Sequence, residues 1–210
     1  MSARTWRVIA VIALASSVIA GGLLTSGANA DDVTAKAVLH NKFGDKIGVV
    51  KFIQQGDLVL VKADGLDFPS SLTAGFKGFH VHATGICNPE AVDPATGATV
   101  PFFTAGGHYN PTSVTHGSHG GDMPILQVNA DGSAWSRFKT DHFDVDEIIG
   151  RAVIVHAGAD NFGNVPVGAG ATQYTPNSTG TTNATATGLT ANTGNAGARY
   201  ACGVIKADDD

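Results

Sequence analysis

The histidines form the most informative pattern in this chain. His80 and His82 lie two residues apart in Gly78-Phe79-His80-Val81-His82, a run that is typical of a β-strand. Side chains on a strand alternate between its faces, so both imidazoles are expected on one face and Val81 on the other. Two adjacent imidazoles make half of a metal site. Such a pair is more often two ordinary polar positions, so the remaining histidines must show whether this pair belongs to a metal site.

Four further histidines and one aspartate complete a pattern with metal-ligand spacing. The candidate ligands are His80, His82, His108, His116, His119, Asp122 and His156. Neutral imidazole suits copper and zinc, and a carboxylate can complete a tetrahedral zinc site. Seven ligands are too many for one first-row ion but suit two ions that share a ligand. Any one of these histidines could be a solvated loop residue, but that does not explain six in this arrangement.

Short β-type segments must position these ligands. They are Val33–Leu39, Ile47–Ile53, Leu58–Ala63, Gly78–His82, Ile125–Asn129, Ser133–Phe138, Ala152–His156 and Tyr200–Lys206. Two Asp-Gly pairs, Asp64-Gly65 and Asp131-Gly132, supply turn chemistry between runs. The sequence shows no convincing amphipathic helix after residue 30, and only a turn is expected near Val145–Ile149. The pattern predicts an all-β fold, an eight-stranded antiparallel sandwich or barrel.

Two long connections interrupt the predicted strands. Ala83–Met123 contains His108, His116, His119 and Asp122, and Ala157–Ala198 follows the last histidine. Loops of this length in a compact domain are usually functional or disordered. Within the second connection, Thr175–Thr193 is rich in Thr, Asn, Ala and Gly, and its middle is expected to be mobile.

The N-terminal segment is typical of a secretory signal peptide. Arg4 and Arg7 precede the apolar run Val8–Leu24, and Ala28-Asn29-Ala30 provides small residues for cleavage. The alternative is an uncleaved membrane anchor, although the run is short for a span of about 20 apolar residues. We therefore predict a signal peptide at residues 1–30, one exported domain at residues 31–210, and no stable membrane anchor. Periplasmic and extracellular locations both remain open.

Charge and cysteine content agree with an exported domain. Removing two arginines from 13 basic residues leaves 11, against 18 acidic residues, so the mature charge is −7. An acidic protein is a poor nucleic-acid binder. In an oxidising compartment Cys87 and Cys202 are expected to form a disulfide. Two buried free thiols are the alternative, and a two-cysteine metal site is less favoured.

Several motifs together resemble the copper/zinc superoxide dismutases. They are Gly78–His82, Gly107–Pro111, Gly121–Pro124, Gly150–Ala157 and Gly194–Ile205, in the order that the family shows. The resemblance spans nearly all of residues 31–210. It implies a Greek-key β-barrel that converts superoxide into dioxygen and hydrogen peroxide, with one copper and one zinc ion per chain as cofactors.

The resemblance also implies a role for each candidate residue. The implied copper ligands are His80, His82, His108 and His156, and the implied zinc ligands are His108, His116, His119 and Asp122, so His108 would be the bridge and also the proton donor. Arg199 would be the catalytic cation, and Asp160 would link His80 and His116. Thr193 would narrow the channel, and Cys87 and Cys202 would form the disulfide. A homodimer is compatible with the family, but no motif marks one.

This chain departs from the family pattern at two places. His116 and His119 are only three residues apart, which leaves zinc occupancy open, and no charged residue lies between Asp160 and Arg199 to guide superoxide. Two alternatives to a copper/zinc enzyme remain. One is a non-catalytic exported metal-binding protein on the same fold, and the other is a copper-only enzyme.

Overall fold

A computed structural model describes residues 33–163 and 183–208 of the chain, and within these ranges nine antiparallel strands form one sheet. The strands are β1 (Thr34–Asn41), β2 (Lys46–Gln55), β3 (Leu58–Asp67), β4 (Gly75–Lys77), β5 (Phe79–His82), β6 (Leu126–Val128), β7 (Ser133–Thr140), β8 (Ala152–His156) and β9 (Arg199–Ala207). Two α-helices accompany them in the described ranges, α1 (Val145–Ile148) and α2 (Asn183–Thr193). Neither helix is long and apolar enough to cross a membrane.

Alternation of side chains along the strands builds the core. In β1, Ala35, Ala37 and Leu39 are fully buried, and the residues between them are partly exposed. Phe52 of β2 is also fully buried and lies opposite the buried Val61 of β3. Because side chains on a strand alternate with a period of two, a one-residue slip in pairing would move each apolar set into water. The hydrophobic pattern therefore specifies the register that positions the site.

The barrel closes at Gly78. The strand order is β4-β6-β7-β3-β2-β1-β9-β8-β5, so the two end strands are consecutive in the chain and are separated by that one glycine. Its N–H donates to Gly158 (2.8 Å), and its carbonyl accepts from the N–H of His156 (2.8 Å). A Cβ at Gly78 would lie 2.6 Å from the Cβ of Ala196 and 2.8 Å from Asp160 Oδ1. The absence of a side chain lets the barrel close directly beside the candidate ligands.

The all-β antiparallel prediction is confirmed, with nine strands in place of eight. The additional strand β4 has only three residues, and Phe76 at its centre is exposed, so it carries no apolar alternation. The connections β3–β4, β5–β6 and β7–β8 join strands that are not neighbours in the sheet, as in Greek-key folds.

The structure contains two short α-helices that the sequence pattern did not predict, and neither is the amphipathic helix whose absence was expected. Asn183–Thr193 forms α2, and the segment expected to be a turn forms the short helix α1. The sequence of α2 has no apolar stripe and contains several Thr and Asn residues, which are weak helix formers. Its neighbours therefore stabilise the helix. The rest of the segment expected to be mobile, and the predicted signal peptide at residues 1–30, lie outside the described residues.

The predicted disulfide is present between Cys87 and Cys202, whose Cα atoms are 5.6 Å apart. It joins the first long connection to β9, three residues after Arg199. A bridge between residues 115 apart contributes about 4–5 kcal/mol by restricting the unfolded chain, as an upper estimate. The disulfide therefore stabilises the fold and anchors the loop that contacts Arg199.

Candidate metal centre

Neighbouring strands bring three histidines together. His80 and His82 lie on β5, which pairs with β8, and His156 is the last residue of β8. All three side chains are almost fully buried, and the Nε2 atoms of His82 and His156 are 3.4 Å apart. Strand pairing alone therefore places three imidazoles side by side.

The first long connection returns to pair with the free edge of β5. The Val81 N–H donates to Gly121 (2.8 Å), and the Val81 carbonyl accepts from Tyr109 (2.8 Å). Isolated bridges put His82 opposite His108 and His80 opposite Asp122. A Cβ at Gly121 would lie only 2.2 Å from the Val81 carbonyl oxygen, so a larger residue would separate the loop from the strand. This pairing brings the loop ligands to the strand ligands.

Four imidazoles form a first group of potential metal ligands, which we term the four-imidazole set. It comprises His80, His82, His108 and His156, and one nitrogen from each lies within 4.8 Å of the others. The second nitrogen of three of these rings has an acceptor: His82 Nδ1 donates to Gly106 (2.8 Å), His156 Nδ1 to Gly197 (3.0 Å) and His80 Nε2 to Asp160 (2.9 Å). These bonds fix each tautomer, because a neutral imidazole carries one proton.

The nitrogens left over are those that a metal needs. Nδ1 of His80 and Nε2 of His108 are buried and have no hydrogen-bond partner within the described structure. An unsatisfied buried nitrogen is costly unless something binds it. Neutral imidazole nitrogens suit copper in both of its common oxidation states. The four-imidazole set therefore fits a copper ion.

A second group, which we term the carboxylate set, comprises His108, His116, His119 and Asp122. Asp122 Oδ1 lies 2.9 Å from His108 Nδ1 and 3.3 Å from His119 Nδ1, and Asp122 Oδ2 lies 3.3 Å from His116 Nδ1. By distance alone, the second group of four within 4.8 Å of one another is His80, His108, His116 and Asp122, without His119. However, the one nitrogen of His80 not bonded to Asp160 is already used in the four-imidazole set. Three imidazoles and one carboxylate fit tetrahedral zinc.

The short loop between His116 and His119 still presents both side chains to Asp122. Asp122 Oδ2 accepts the backbone N–H of Gly117 (2.6 Å) and of His119 (3.1 Å). Gly117 has φ 93°, in the left-handed region that favours glycine. The loop thus turns tightly around the carboxylate, so its shortness does not separate the zinc-type ligands.

Burial and hydrogen bonding set the charge of these groups in the metal-free protein. Desolvation holds the pKa of His80, His82 and His156 well below the usual value, so the rings are neutral at pH 7. Burial alone would raise the pKa of Asp122, but hydrogen bonds from His108 and His116 outweigh it and hold the pKa well below its usual range. Neutral rings in the four-imidazole set and an ionised Asp122 are the protonation states that metals require.

Asp160 lies between the two sets. Its Oδ2 accepts from His80, and its Oδ1 lies 3.8 Å from His116 Nε2. Burial raises the pKa of Asp160 to about 6. Gly194, the residue after α2, packs against both Asp160 and His116. A Cβ at this position would lie 2.4 Å from His116 Nε2 and 2.7 Å from Asp160 Oδ1. One carboxylate therefore contacts a ring from each set.

Arg199 is held beside the four-imidazole set by backbone carbonyls. It pairs with His156 across β8 and β9, and its guanidinium donates to the carbonyls of Phe102 and Gly106. Gly106 accepts a second hydrogen bond from His82. Phe102 presents its carbonyl from a left-handed conformation (φ 60°). The sequence predicted Arg199, but these acceptors carry no signal in the sequence.

Two other residues complete the surroundings of the site. Thr193, the expected channel residue, ends α2 and donates its hydroxyl to the carbonyl of Leu189 (2.9 Å). Phe162, which sequence reasoning missed, stacks on the ring of His116 with centroids 5.4 Å apart and planes 15° apart. A lone phenylalanine in a Gly-rich connection has no spacing that would identify it, and its role depends on tertiary contact.

We expect the stability of the metal-free protein to fall as pH decreases from 8 to 5. The buried His80, His82 and His156 stay neutral in the native state, whereas the unfolded chain takes up protons on them below about pH 6.5. Each contributes a slope of up to about 1.4 kcal/mol per pH unit. Asp160 opposes part of this fall, because its native carboxyl gains a proton as pH drops through about 6.

Urea unfolding of the metal-free protein at several pH values measures this slope. Asp160→Asn lacks the opposing carboxyl and should make the fall steeper. A free energy of unfolding that is constant or rises on acidification would contradict the assignment of neutral buried histidines.

Comparisons with known proteins agree with this geometry. The sequence model of the family described as "Copper/zinc superoxide dismutase (SODC)" matches residues 46–205. The Cu-Zn superoxide dismutase of Mycobacterium tuberculosis is 38% identical over 185 residues, which cover 87% of this chain and 69% of that relative. The solved Cu/Zn superoxide dismutase from Brucella abortus is similar in structure, with a TM-score of 0.60 and 29% identity over 82% of this chain and 99% of that one.

A solved structure with a different name also has a similar fold. The "clock protein EA4" has a TM-score of 0.58 and 27% identity, covering 84% of this chain and 95% of that one. The family match nevertheless extends over most of the chain and contains every histidine of the two sets. The chain therefore belongs to the copper/zinc superoxide dismutase family.

Proposed function

We propose that this protein disproportionates two superoxide anions and two protons into dioxygen and hydrogen peroxide, with copper held by the four-imidazole set and zinc by the carboxylate set. The observation that carries this proposal is the position of His108. Its Nδ1 faces Asp122 and His119, and its Nε2 is buried without a hydrogen-bond partner in the described structure. One imidazole can therefore bridge the two ions.

The metals and the side chains have separate tasks. Copper supplies a one-electron redox change between Cu(II) and Cu(I), and zinc supplies a fixed positive charge without redox chemistry. His108 would hold copper through Nε2 and, only while that nitrogen is not bound to copper, would carry there the proton that it gives to the reduced oxygen species. Nδ1 of His108 lies against Asp122, so Nε2 is the nitrogen left for proton transfer.

Arg199 binds the anionic substrate in this proposal. Its guanidinium is a permanent cation with a forked set of donors, which suits a small anion. The carbonyls of Phe102 and Gly106 hold it in place, and Phe103 lies 5.8 Å from its central carbon. Thr193, at the end of α2, is proposed to narrow the approach to the copper.

Asp160 orients the ligands but does not react. By accepting the Nε2 proton of His80 it leaves Nδ1 for the metal, and its other oxygen lies near His116. Acceptors of this kind hold the orientation of metal-bound rings and commonly affect metal affinity 10- to 100-fold. Asp160 thereby links the ring orientation of His80 in the four-imidazole set to that of His116 in the carboxylate set.

The protein is proposed to be exported, with residues 1–30 removed as a signal peptide and residues 31–210 forming the enzyme. The basic and apolar N-terminal pattern supports this, as does the Cys87–Cys202 disulfide, which persists in oxidising compartments. Periplasmic and extracellular locations both satisfy these features. Partners other than superoxide are not required, and a homodimer remains an alternative to a monomer.

The second candidate function is a non-catalytic exported protein that holds metal on the same fold. A shared fold does not establish an activity, as the similarity to a structure titled as a clock protein illustrates. Arg199 favours catalysis, because a protein that only binds cations has no use for a fixed guanidinium beside the four-imidazole set. The first experiment separates the two.

We expect fast, copper-dependent decay of superoxide when the protein is loaded with copper and zinc. Decay followed directly by absorbance, beside the metal-free protein and with metal content measured, tests the proposal. Binding of copper without faster decay would favour the metal-holding protein. Activity with copper bound and the zinc position empty would identify a copper-only enzyme.

Arg199→Ala should lower the rate of dismutation by about tenfold or more, because the anion loses its fixed cation. Copper content should not change, since Arg199 contacts carbonyls and no ligand nitrogen. Arg137→Ala is the matched control, because Arg137 pairs with Asp64 on the exposed face of the barrel. Unchanged activity in Arg199→Ala would remove this residue from the mechanism.

We expect the rate to depend only weakly on salt. No charged residue lies between Asp160 and Arg199 in the sequence, and the mature chain is acidic, so long-range attraction of superoxide rests almost entirely on Arg199 and the metals. The rate should change less than about threefold as the Debye length falls from ~30 to ~8 Å. A steep fall over this interval would show that other cations steer the substrate.

A further inference from the structure

Phe162 covers the outer side of the carboxylate set. Its ring lies flat on His116, yet 47% of the residue is exposed to solvent. The backbone on both sides is anchored, since the Asn161 N–H donates to Gly194 (2.8 Å) and the Gly163 N–H donates to the Asn161 side chain (3.0 Å). An exposed aromatic ring fixed on a ligand ring acts as a cover for that ligand.

A cavity of about 310 Å³ begins beside this ring. It is lined by Phe162, Gly117 and Asp122 on one side and by Thr140, Asp141 and His142, where the chain leaves β7, on the other. This space can hold an ion with several water molecules, because one water occupies about 30 Å³. The lining residues include neither Arg199 nor a member of the four-imidazole set, so the cavity reaches the metal centre from the zinc side.

Asp122 is the ligand that this cavity reaches. It lines the cavity, whereas none of the three histidines of the carboxylate set does, and the ring of His116 lies under Phe162. Carboxylate oxygens are zinc ligands, so a carboxylate that lines the cavity can be the first ligand to contact an arriving cation. A second carboxylate, Asp141, also lines the cavity, as does Lys139.

We propose that this cavity is the passage by which zinc enters and leaves the carboxylate set, and that Phe162 is a positioning residue that retains zinc by holding the His116 ring. The inference rests on the zinc site proposed above. It implies that zinc exchanges without displacing the rings of His80, His82 and His156 and without passing Arg199. Loss of the Phe162 ring should therefore accelerate zinc release and leave copper retention unchanged.

The test is the rate at which zinc passes from the copper- and zinc-loaded protein to an excess of a chromogenic chelator. Phe162→Ala should release zinc about three- to tenfold faster, in line with the loss of one stacked aromatic contact. Phe162→Trp keeps a stacking surface and should stay close to the original rate. Phe76→Ala is the matched control, because Phe76 is exposed on β4 and does not line the cavity.

A second variant tests the passage separately from the stacking. Asp141→Phe narrows the cavity and should slow both uptake and release of zinc, whereas Asp141→Asn measures the effect of charge alone. Thermal unfolding of each metal-free variant checks that the fold is intact. Cobalt in the zinc position gives a visible spectrum that reports the same kinetics without reference to dismutase activity.

The contrary outcomes are distinct. An unchanged rate of zinc release from Phe162→Ala, or an equal acceleration of copper and zinc release, overturns the inference while leaving dismutation intact. A protein that binds copper but no zinc removes the zinc site together with this inference. Copper-loaded protein without dismutase activity, but with faster zinc release from Phe162→Ala, supports the passage and contradicts the proposed activity.

Discussion

The site depends on one constraint: every buried imidazole of the four-imidazole set must point the correct nitrogen inward. A histidine offers two nitrogens, and the hydrogen bond made by one decides which is left for a metal. His82 and His156 use backbone carbonyls for this purpose, and His80 uses Asp160. Burial lowers the pKa of the rings of His80, His82 and His156 and so keeps them neutral. The desolvation that costs free energy when the metal-free protein folds therefore also leaves these rings in the protonation state that binds metal.

The acceptors belong to loops, and this explains why the loops are anchored so firmly. The carbonyl of Gly106 accepts from both His82 and Arg199, so the orientation of His82 and the position of the proposed anion-binding residue depend on one atom. The Cys87–Cys202 bridge ties the same connection to β9. Displacing this loop would therefore disturb His82 of the four-imidazole set and Arg199 together. This coupling gives the disulfide a role in the geometry of the site in addition to its contribution to stability.

Glycines are required where the loops meet the strands closely. At Gly78 and Gly121 an added Cβ would clash with Ala196 or with the Val81 carbonyl, and at Gly194 it would clash with His116. The close contacts at Gly78, Gly121 and Gly194 let the chain segments around these glycines approach β5 and β8 to hydrogen-bonding distance. They also show why α2 forms although its sequence is a poor helix: the residues that follow it pack against His116 and Asp160.

The sequence by itself determined the all-β class, the disulfide partners and the candidate ligands, because strand periodicity and ligand chemistry are local properties that spacing reveals. Only the tertiary structure decided which nitrogen of each ring is available, which carbonyls hold Arg199, and that Phe162 lies on His116. It also decided the three-residue strand β4 and the helix α2, whose patterns are too short or too uniform to predict. These features arise from contacts between segments far apart in the chain, and no local pattern encodes them.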